Sequence, residues 1–408
     1  MKEDPIDNPA GQVAGGPFTL RRLDTWLRFS RLTYRVPGHG RSLFFTLGGI
    51  VFTGFLLMIA TGFILAQLYN PIPEQAYKSL ESIQQVGWSR YLRALHYWFA
   101  QGIIAALLLH ICRVFITGAY KHPRQVTWWI GVALFGVMLM GSYFSGTVLK
   151  WDEEGLDALN HYKEGLGYLG PIGALFTGAF PGSGPINFRI YVSHIAVFPV
   201  LLVLLIVAHF YLVRIFNLSP TPWDSWSNTP EIPQQEMKGR FNEHAQSIAL
   251  YSLIYYGFLA LVAAFVRAPL GGSPASEHMP LKPPWPFLWV YGFENIWGVV
   301  AVLFANMVLF GFLALIPILD RKQDRSLKAR KGILISGAIV AVSLVGLTLH
   351  GWFTPPQSHT HGHGEEEEMG HQEGEAPHED DGHPHDEPSS PSGESEKDHA
   401  PGTADHVD

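Results

Sequence analysis

The sequence predicts an all-α polytopic membrane protein with seven transmembrane helices, four in an N-terminal bundle and three following it. Three observations carry that prediction. Of 408 residues, 47% are hydrophobic and only 15% charged, a balance outside the range of ordinary soluble enzymes. Uncharged apolar windows of about 20 residues, each long enough to cross a hydrocarbon slab, recur seven times. Four histidines sit inside two of those windows at matched spacing.

The windows run 43–66, 94–112, 125–149, 190–213, 245–266, 295–319 and 332–353. Each is read as a helix, because backbone facing lipid must satisfy its own hydrogen bonds. No apolar stretch precedes residue 43, so no cleavable signal is read and the first span is expected to direct insertion itself. Arg21, Arg22, Arg28, Arg31, Arg35 and Arg41 precede the first span, and Lys121 and Arg124 join the second to the third. Arg214, Lys238 and Arg240 lie between the fourth and fifth, and Arg321, Lys322, Arg325, Lys328, Arg330 and Lys331 crowd the turn before the seventh. All four basic regions fall on one side, which the positive-inside rule makes cytoplasmic. The expected location is a bacterial-type inner (plasma) membrane, with the N-terminus cytoplasmic and the C-terminal tail on the outer, periplasmic side.

Five segments follow. Residues 1–42 form a cytoplasmic N-terminal segment, whose stretch 20–36, LRRLDTWLRFSRLTYRV, has the near-helical alternation of an interfacial helix. Residues 43–217 hold the four-helix bundle, 218–247 a cytoplasmic linker, 248–355 three further helices, and 356–408 a tail. The formal charge of −7 conceals two materials, since residues 359–408 hold sixteen Asp or Glu against one Lys. With nine histidines and almost nothing apolar, the tail cannot bury enough surface to fold. It reads as a disordered acidic tether, with metal chelation or a pH response as the alternative. A single cysteine, Cys112, excludes an intramolecular disulfide framework, a Cys-ligated metal cluster and Cys-x-x-Cys-His haem attachment. Its thiol is expected to be buried and apolar.

The second span carries His96 and His110, fourteen residues apart, and the fourth carries His194 and His209, fifteen apart. At 100° per residue each pair stays near one helix face, with its members about 21 Å apart along the axis. Both spans run toward the cytoplasm, so His96 is level with His194 and His110 with His209. Four imidazoles at two depths suit two bis-imidazole haems, one near each membrane face, and they are the expected metal ligands. One intramembrane histidine alone would read equally well as a packing or proton-relay residue. Gly48 and Gly62 on the first span are also fourteen apart, where they admit either a macrocycle or a close helix contact. Arg93 and Arg113 flank the second span's histidines and are placed to pair with haem propionates.

The motifs LGGI (47–50), ATGF (60–63), Arg93-Ala-Leu-His96, LLLHICRVFITGAYKHPRQVTWW (107–129), the His194/His209 pair and PILDRKQDRSLKAR (317–330) together resemble the cytochrome b family of quinol:cytochrome c and quinol:plastocyanin reductases. The spacing of fifteen and the seven spans are more similar to the chloroplast-type cytochrome b joined to its subunit four. That resemblance implies two non-covalent b-type haems in the N-terminal bundle and a quinone-site domain in the last three helices. It also implies quinol oxidation near the outer face, one electron passing to a Rieske iron–sulfur protein and the other crossing to a cytoplasmic-side quinone. A cytochrome c-type subunit or soluble carrier, lipid and a second copy of the chain are the other implied partners; no nucleic acid is expected. The stretch 20–36 would then be either a membrane anchor or a wall of a quinone pocket, and the acidic tail would attract a basic cytochrome c.

Three departures bear on function. Where the family carries Pro-Glu-Trp-Tyr, this chain has Pro283-Pro284-Trp285-Pro286, so the acid that receives a quinol proton is displaced. Glu294, at the expected start of the sixth span, is the nearest substitute catalytic acid beside Trp285, its alternative role being a charge at a helix N-terminus. After the third span the family's Gly-Tyr-x-Leu-Pro-Trp becomes Gly146-Thr-Val-Leu-Lys150-Trp151. Lys150, with Asp152 and Glu153, is read as a catalytic proton-handling group or as part of a solvated charge cluster. The position of the chloroplast-type haem-attaching cysteine is Thr46, so no covalent c-type haem is expected. The rival functions are a dihaem electron conduit or anchor with no Rieske partner, and a haem-carrying scaffold without redox turnover.

Overall fold

Residues 34–177, 184–229, 232–273, 281–298 and 300–356 are described by the structure, a computed structural model. The expected interfacial helix up to residue 33 and the tail from residue 357 lie outside the described residues.

Apolar length and a few stop signals set the helices. Helix α1 spans Leu43–Ala66, α2 Pro73–Gln85 and α3 Gly87–Thr117. Proline opens α2, where its missing N–H has no partner to lose, and Gly118, at φ 66°, ends α3 in the left-handed region. Helix α4 covers Gln125–Val148. Helix α5, Glu153–Gly167, is capped by Asp152, whose side chain accepts from the Gly155 N–H. Then come α6 (Pro171–Thr177), α7 (Ile186–Phe216), α8 (Phe241–Phe265), α9 (Leu288–Trp297), α10 (Val300–Leu319) and α11 (Lys331–Phe353). Among the described residues, helices α1, α3, α4, α7, α8, α10 and α11 are the seven long and apolar enough to cross a membrane.

The details correct the expectation in three places. Arg35 and Val36 do not continue a helix; they form β1, paired antiparallel with β2 (Gly239–Arg240). Pro37 follows, and the residue before a proline is pushed out of the helical region. The sixth window divides into α9 and α10 because Gly298 has φ 81°. Glu294 therefore lies in the last turn of α9, and the role of an N-terminal charge on the sixth span falls away. Third, the shorter helices α2, α5 and α6 occupy connections between the spans, where no helix was expected.

Two of the spans contain a turn of π-helix, at Val137–Tyr143 in α4 and Ser193–Val197 in α7. Such a turn accommodates one extra residue within a continuous helix. Fifteen residues that include it therefore advance about as far round the axis as fourteen in a regular α-helix.

The core joins Leu47, Ile50 and Phe55 of α1 to Phe99, Ile103 and Leu107 of α3, Phe135 and Leu139 of α4, and Leu202 of α7. Tyr256 and Leu259 of α8 complete it. Helix α8 comes close because a Cβ on Gly49 would lie 2.5 Å from Ile248, and one on Gly102 2.3 Å from Leu259. The Tyr256 hydroxyl donates to Ile50 O at 3.0 Å, and the Tyr255 hydroxyl to Gly102 O at 2.9 Å. At one end of the molecule Asp320, after α10, accepts from Tyr120 Oη (2.6 Å), Lys121 Nζ (2.6 Å) and Arg330 Nε (3.0 Å). That cluster ties the α3–α4 turn to the α10–α11 turn. Helices α9 and α11 meet backbone to backbone, since a Cβ on Gly292 would lie 2.1 Å from Leu347 O.

Candidate haem sites

Regular winding carries His96 and His110 on one face of α3, and the π-turn keeps His194 and His209 in register on α7. The rings of His96 and His194 face each other with centroids 6.4 Å apart and planes at 64°. That gap accommodates one metal ion with a nitrogen bond of about 2 Å on each side. His110 and His209 lie within electrostatic reach of each other at the second level.

Each imidazole has a glycine opposite it on a neighbouring helix. A Cβ built on Gly62 would lie 3.1 Å from His96 Cε1, and on Gly48 3.1 Å from His110 Cε1. On α4, Gly146 stands 3.0 Å from His194 Cε1 and Gly131 3.8 Å from His209 Cε1 on the same construction. The α4 pair was missed in the sequence, although its separation of fifteen repeats that of the histidines it faces. At the first level each Nδ1 is held by a hydroxyl beside the glycine: Thr61 Oγ1 to His96 at 2.9 Å and Ser145 Oγ to His194 at 2.9 Å. Holding Nδ1 leaves Nε2 as the free ligand atom. The donor set and the glycine clearances both fit two haem-sized macrocycles. The Nδ1 atoms of His110 and His209 are buried without a hydrogen bond of regular geometry.

The flanking cations both donate to backbone oxygens. Arg93 is buried and donates to Ala268 O at 2.9 Å and Pro269 O at 2.6 Å, tethering the chain after α8. Arg113 donates to Phe44 O at 3.1 Å, with its guanidinium 4.4 Å from the Phe45 ring centroid. Cys112 is exposed rather than buried, because two residues turn it about 200° away from His110. Thr46 is buried and bonds its own helix at Leu43 O.

At the His96/His194 end, Trp285 Nε1 donates to Gln101 Oε1 at 2.7 Å, and Tyr143 Oη donates to the same oxygen at 3.0 Å. Phe287 stacks edge-on to Tyr143 and to Phe144, at 5.8 and 6.1 Å. Gln101 was detectable as a lone amide in an apolar span; nothing local marks Tyr143. Lys150 belongs to a clamp rather than a solvated cluster: it lies 3.2 Å from Asp152 Oδ2 and pairs with Glu154. Asp152 is fully buried, accepting from Gly155 N at 2.9 Å and from Gly271 N at 2.8 Å. Glu294 is also buried, with its Oε1 3.2 Å from His161 Nε2 on α5. The structure brings Glu294 to α5, a contact no sequence pattern announced.

Residues 101–280 match the family model described as cytochrome b (N-terminal)/b6/petB, and residues 273–362 the model described as cytochrome b (C-terminal)/b6/petD. A cytochrome b6 of Heliobacterium mobile is 33% identical over 189 residues, covering 45% of this chain and 88% of its own length. A cytochrome b6 of Tupiella akineta is 34% identical over 185 residues, covering 44% and 85%. A solved structure titled hyperthermophilic respiratory Complex III shares the fold, with a TM-score of 0.65 at 20% identity over 82% of this chain and 89% of that one. With two facing histidine levels in a seven-span fold and family models matching across both its parts, the chain belongs to the cytochrome b family, of the b6 type.

Proposed function

We propose that this multi-pass cytochrome b chain is the dihaem subunit of a membrane quinol oxidoreductase working with a Rieske iron–sulfur protein. Quinol is oxidised near the outer face, one electron leaves through the Rieske protein to a cytochrome c-type carrier, and the other crosses to a quinone on the cytoplasmic side. The observation that carries the reading is the doubled histidine–glycine arrangement. Its two levels stand about 21 Å apart, enough to span most of an apolar slab of about 30 Å. His96 with His194, and His110 with His209, would hold the two haems, and Gly48, Gly62, Gly131 and Gly146 leave flat space beside those rings. Bound there, b-type haem supplies one-electron redox chemistry.

The chain's own residues do the rest. Thr61 and Ser145 fix the tautomer and rotation of the first-level ligands. Arg93 and Arg113 would meet the haem propionates, while Arg93 also tethers the chain after α8 and Arg113 braces the start of α1. Trp285, Gln101, Tyr143, Phe144 and Phe287 wall the outer quinol pocket. Glu294 accepts a quinol proton in place of the absent Pro-Glu-Trp-Tyr acid, and Lys150 keeps the α4–α5 corner closed through Asp152. A homodimer within the complex, a cytoplasmic N-terminus and an outer tail complete the proposal.

Replacing His110 or His209 with Ala removes one haem signal from the reduced spectrum and leaves the other; retention of both, or loss of both, refutes the pairing. Purification of the complex decides between the two electron-transfer readings. A co-purifying Rieske subunit is expected, and quinol oxidation without one makes the chain a conduit.

A further inference from the structure

His161 lies between two acidic residues. Nε2 lies 3.2 Å from Glu294 Oε1, while Nδ1 lies 2.9 Å from the backbone oxygen of Asp157 and 3.6 Å from its Oδ1. Exposure rises in steps along this line, from 4% for the Glu294 side chain to 20% for His161 and 40% for Asp157. The helix that carries His161 also reaches the aromatic wall. Tyr162, next in sequence to His161, meets Phe144 at 5.7 Å, and Phe144 meets Phe287 at 6.1 Å.

A buried carboxylate needs a compensating partner, and a lysine or arginine would supply a permanent charge. An imidazole differs in that it exchanges a proton near neutral pH and presents a second nitrogen on its far side. We propose that Glu294, His161 and Asp157 form the exit line by which a quinol proton leaves the outer pocket for water, an inference that rests on the reading of Glu294 given above.

The steps balance as proton transfers alone. The quinol O–H bond breaks and its proton joins the Glu294 carboxylate. The His161 imidazolium releases its Nδ1 proton toward Asp157 and solvent, and after ring reorientation the Glu294 carboxyl returns a proton to the imidazole. One proton enters at Glu294, one leaves at Asp157, and the ion pair is restored; the electrons leave by the acceptors named above. Burial pulls the His161 imidazole down, but the hydrogen bond to Glu294 and the nearby Asp157 outweigh it and push it up to about 9. The imidazole therefore starts charged at neutral pH. Glu294 is the charged side chain that α9 contributes, α10 carries none, and Asp157 faces the ring from its own helix with Glu164 a turn further on.

The test uses the whole complex in sealed vesicles, with haem spectra, quinol-dependent acceptor reduction and outer-side proton release followed by a pH dye. Glu294→Gln and His161→Gln should each slow release and turnover about 100-fold, within the usual range for a lost acid–base group. The double variant should be no slower than the worse single one, since both belong to one line. Asp157→Asn should slow release several-fold, and added imidazole should restore release in His161→Ala but not in Glu294→Gln. Unchanged release in His161→Gln, multiplicative singles, or loss of haem from both His161 variants would overturn the exit line. If Glu294→Gln slows turnover and His161→Gln does not, the relay falls and the role of Glu294 stands. A wild-type complex that does not oxidise quinol sinks the functional reading itself.

Discussion

Gly146 shows how little volume decides the cofactor question. A Cβ there would stand 3.0 Å from His194 Cε1, so a branched side chain fills the slot a planar group would occupy. Gly146→Val should cost about 1–3 kcal/mol through overpacking and remove the haem signal of the His96/His194 level alone. Optical spectra of the reduced protein check this, and retention of both signals would show that the glycine serves helix packing only. His161 makes a separate prediction about pH. Its folded value of about 9 stands above the ordinary 6.5, so the stabilisation it contributes is complete below pH 6.5 and fades as pH rises through 9. Thermal unfolding should show a larger loss between those values in the native chain than in His161→Gln; equal losses would mean that the pair contributes no linkage.

The π-turns act at the scale of the helix. Without one, the fifteen residues from His194 to His209 overshoot a whole number of turns by about 60°, whereas fourteen on α3 fall about 40° short. With the extra residue absorbed in Ser193–Val197 on α7, and in Val137–Tyr143 on α4, both helices present their ligands and glycines to the same two levels as α3 and α1. Deleting Ala196 should convert the α7 turn to regular α-helix, leave the two histidines fourteen residues apart on one face as on α3, and keep both levels in register. Electron paramagnetic resonance of the oxidised protein distinguishes the outcomes: two undisturbed low-spin signals are expected, and loss of one would show that the π-turn does more than absorb the extra residue.

Across the whole molecule, the first four spans and the last three are joined by buried polar contacts as well as by apolar packing. Lys121 and Arg330 are almost wholly buried around Asp320. Hydrogen bonds from Tyr120, Lys121 and Arg330 hold the Asp320 carboxyl below its usual range although burial works against them. Asp320→Asn leaves two buried cations without their anion, for which a loss of about 3–5 kcal/mol is expected. The melting temperature should fall while both haem spectra persist at low temperature, because the cluster sits apart from the four histidines. An unchanged melting temperature would show that the two turns are held by their other contacts. The same cluster changes the meaning of the basic 317–330 stretch: Arg325 and Arg330 are committed to backbone carbonyls and to Asp320, so part of what reads as topogenic charge is internal bracing.

Seven spans, the histidine spacings and the glycines of α1 were legible in the sequence, because hydrophobic length and helical period are local properties of a chain. The tertiary structure alone decided that Glu294 ends a helix rather than starting one, since a single positive φ at Gly298 divides the apolar run. It alone brought His161 to that carboxylate and buried Asp152 beneath the chain after α8, for contacts between distant connections leave no periodic trace. Gly131 and Gly146 lie between the two cases: their spacing was present in the sequence, and it acquired meaning once the fold set His209 and His194 opposite them.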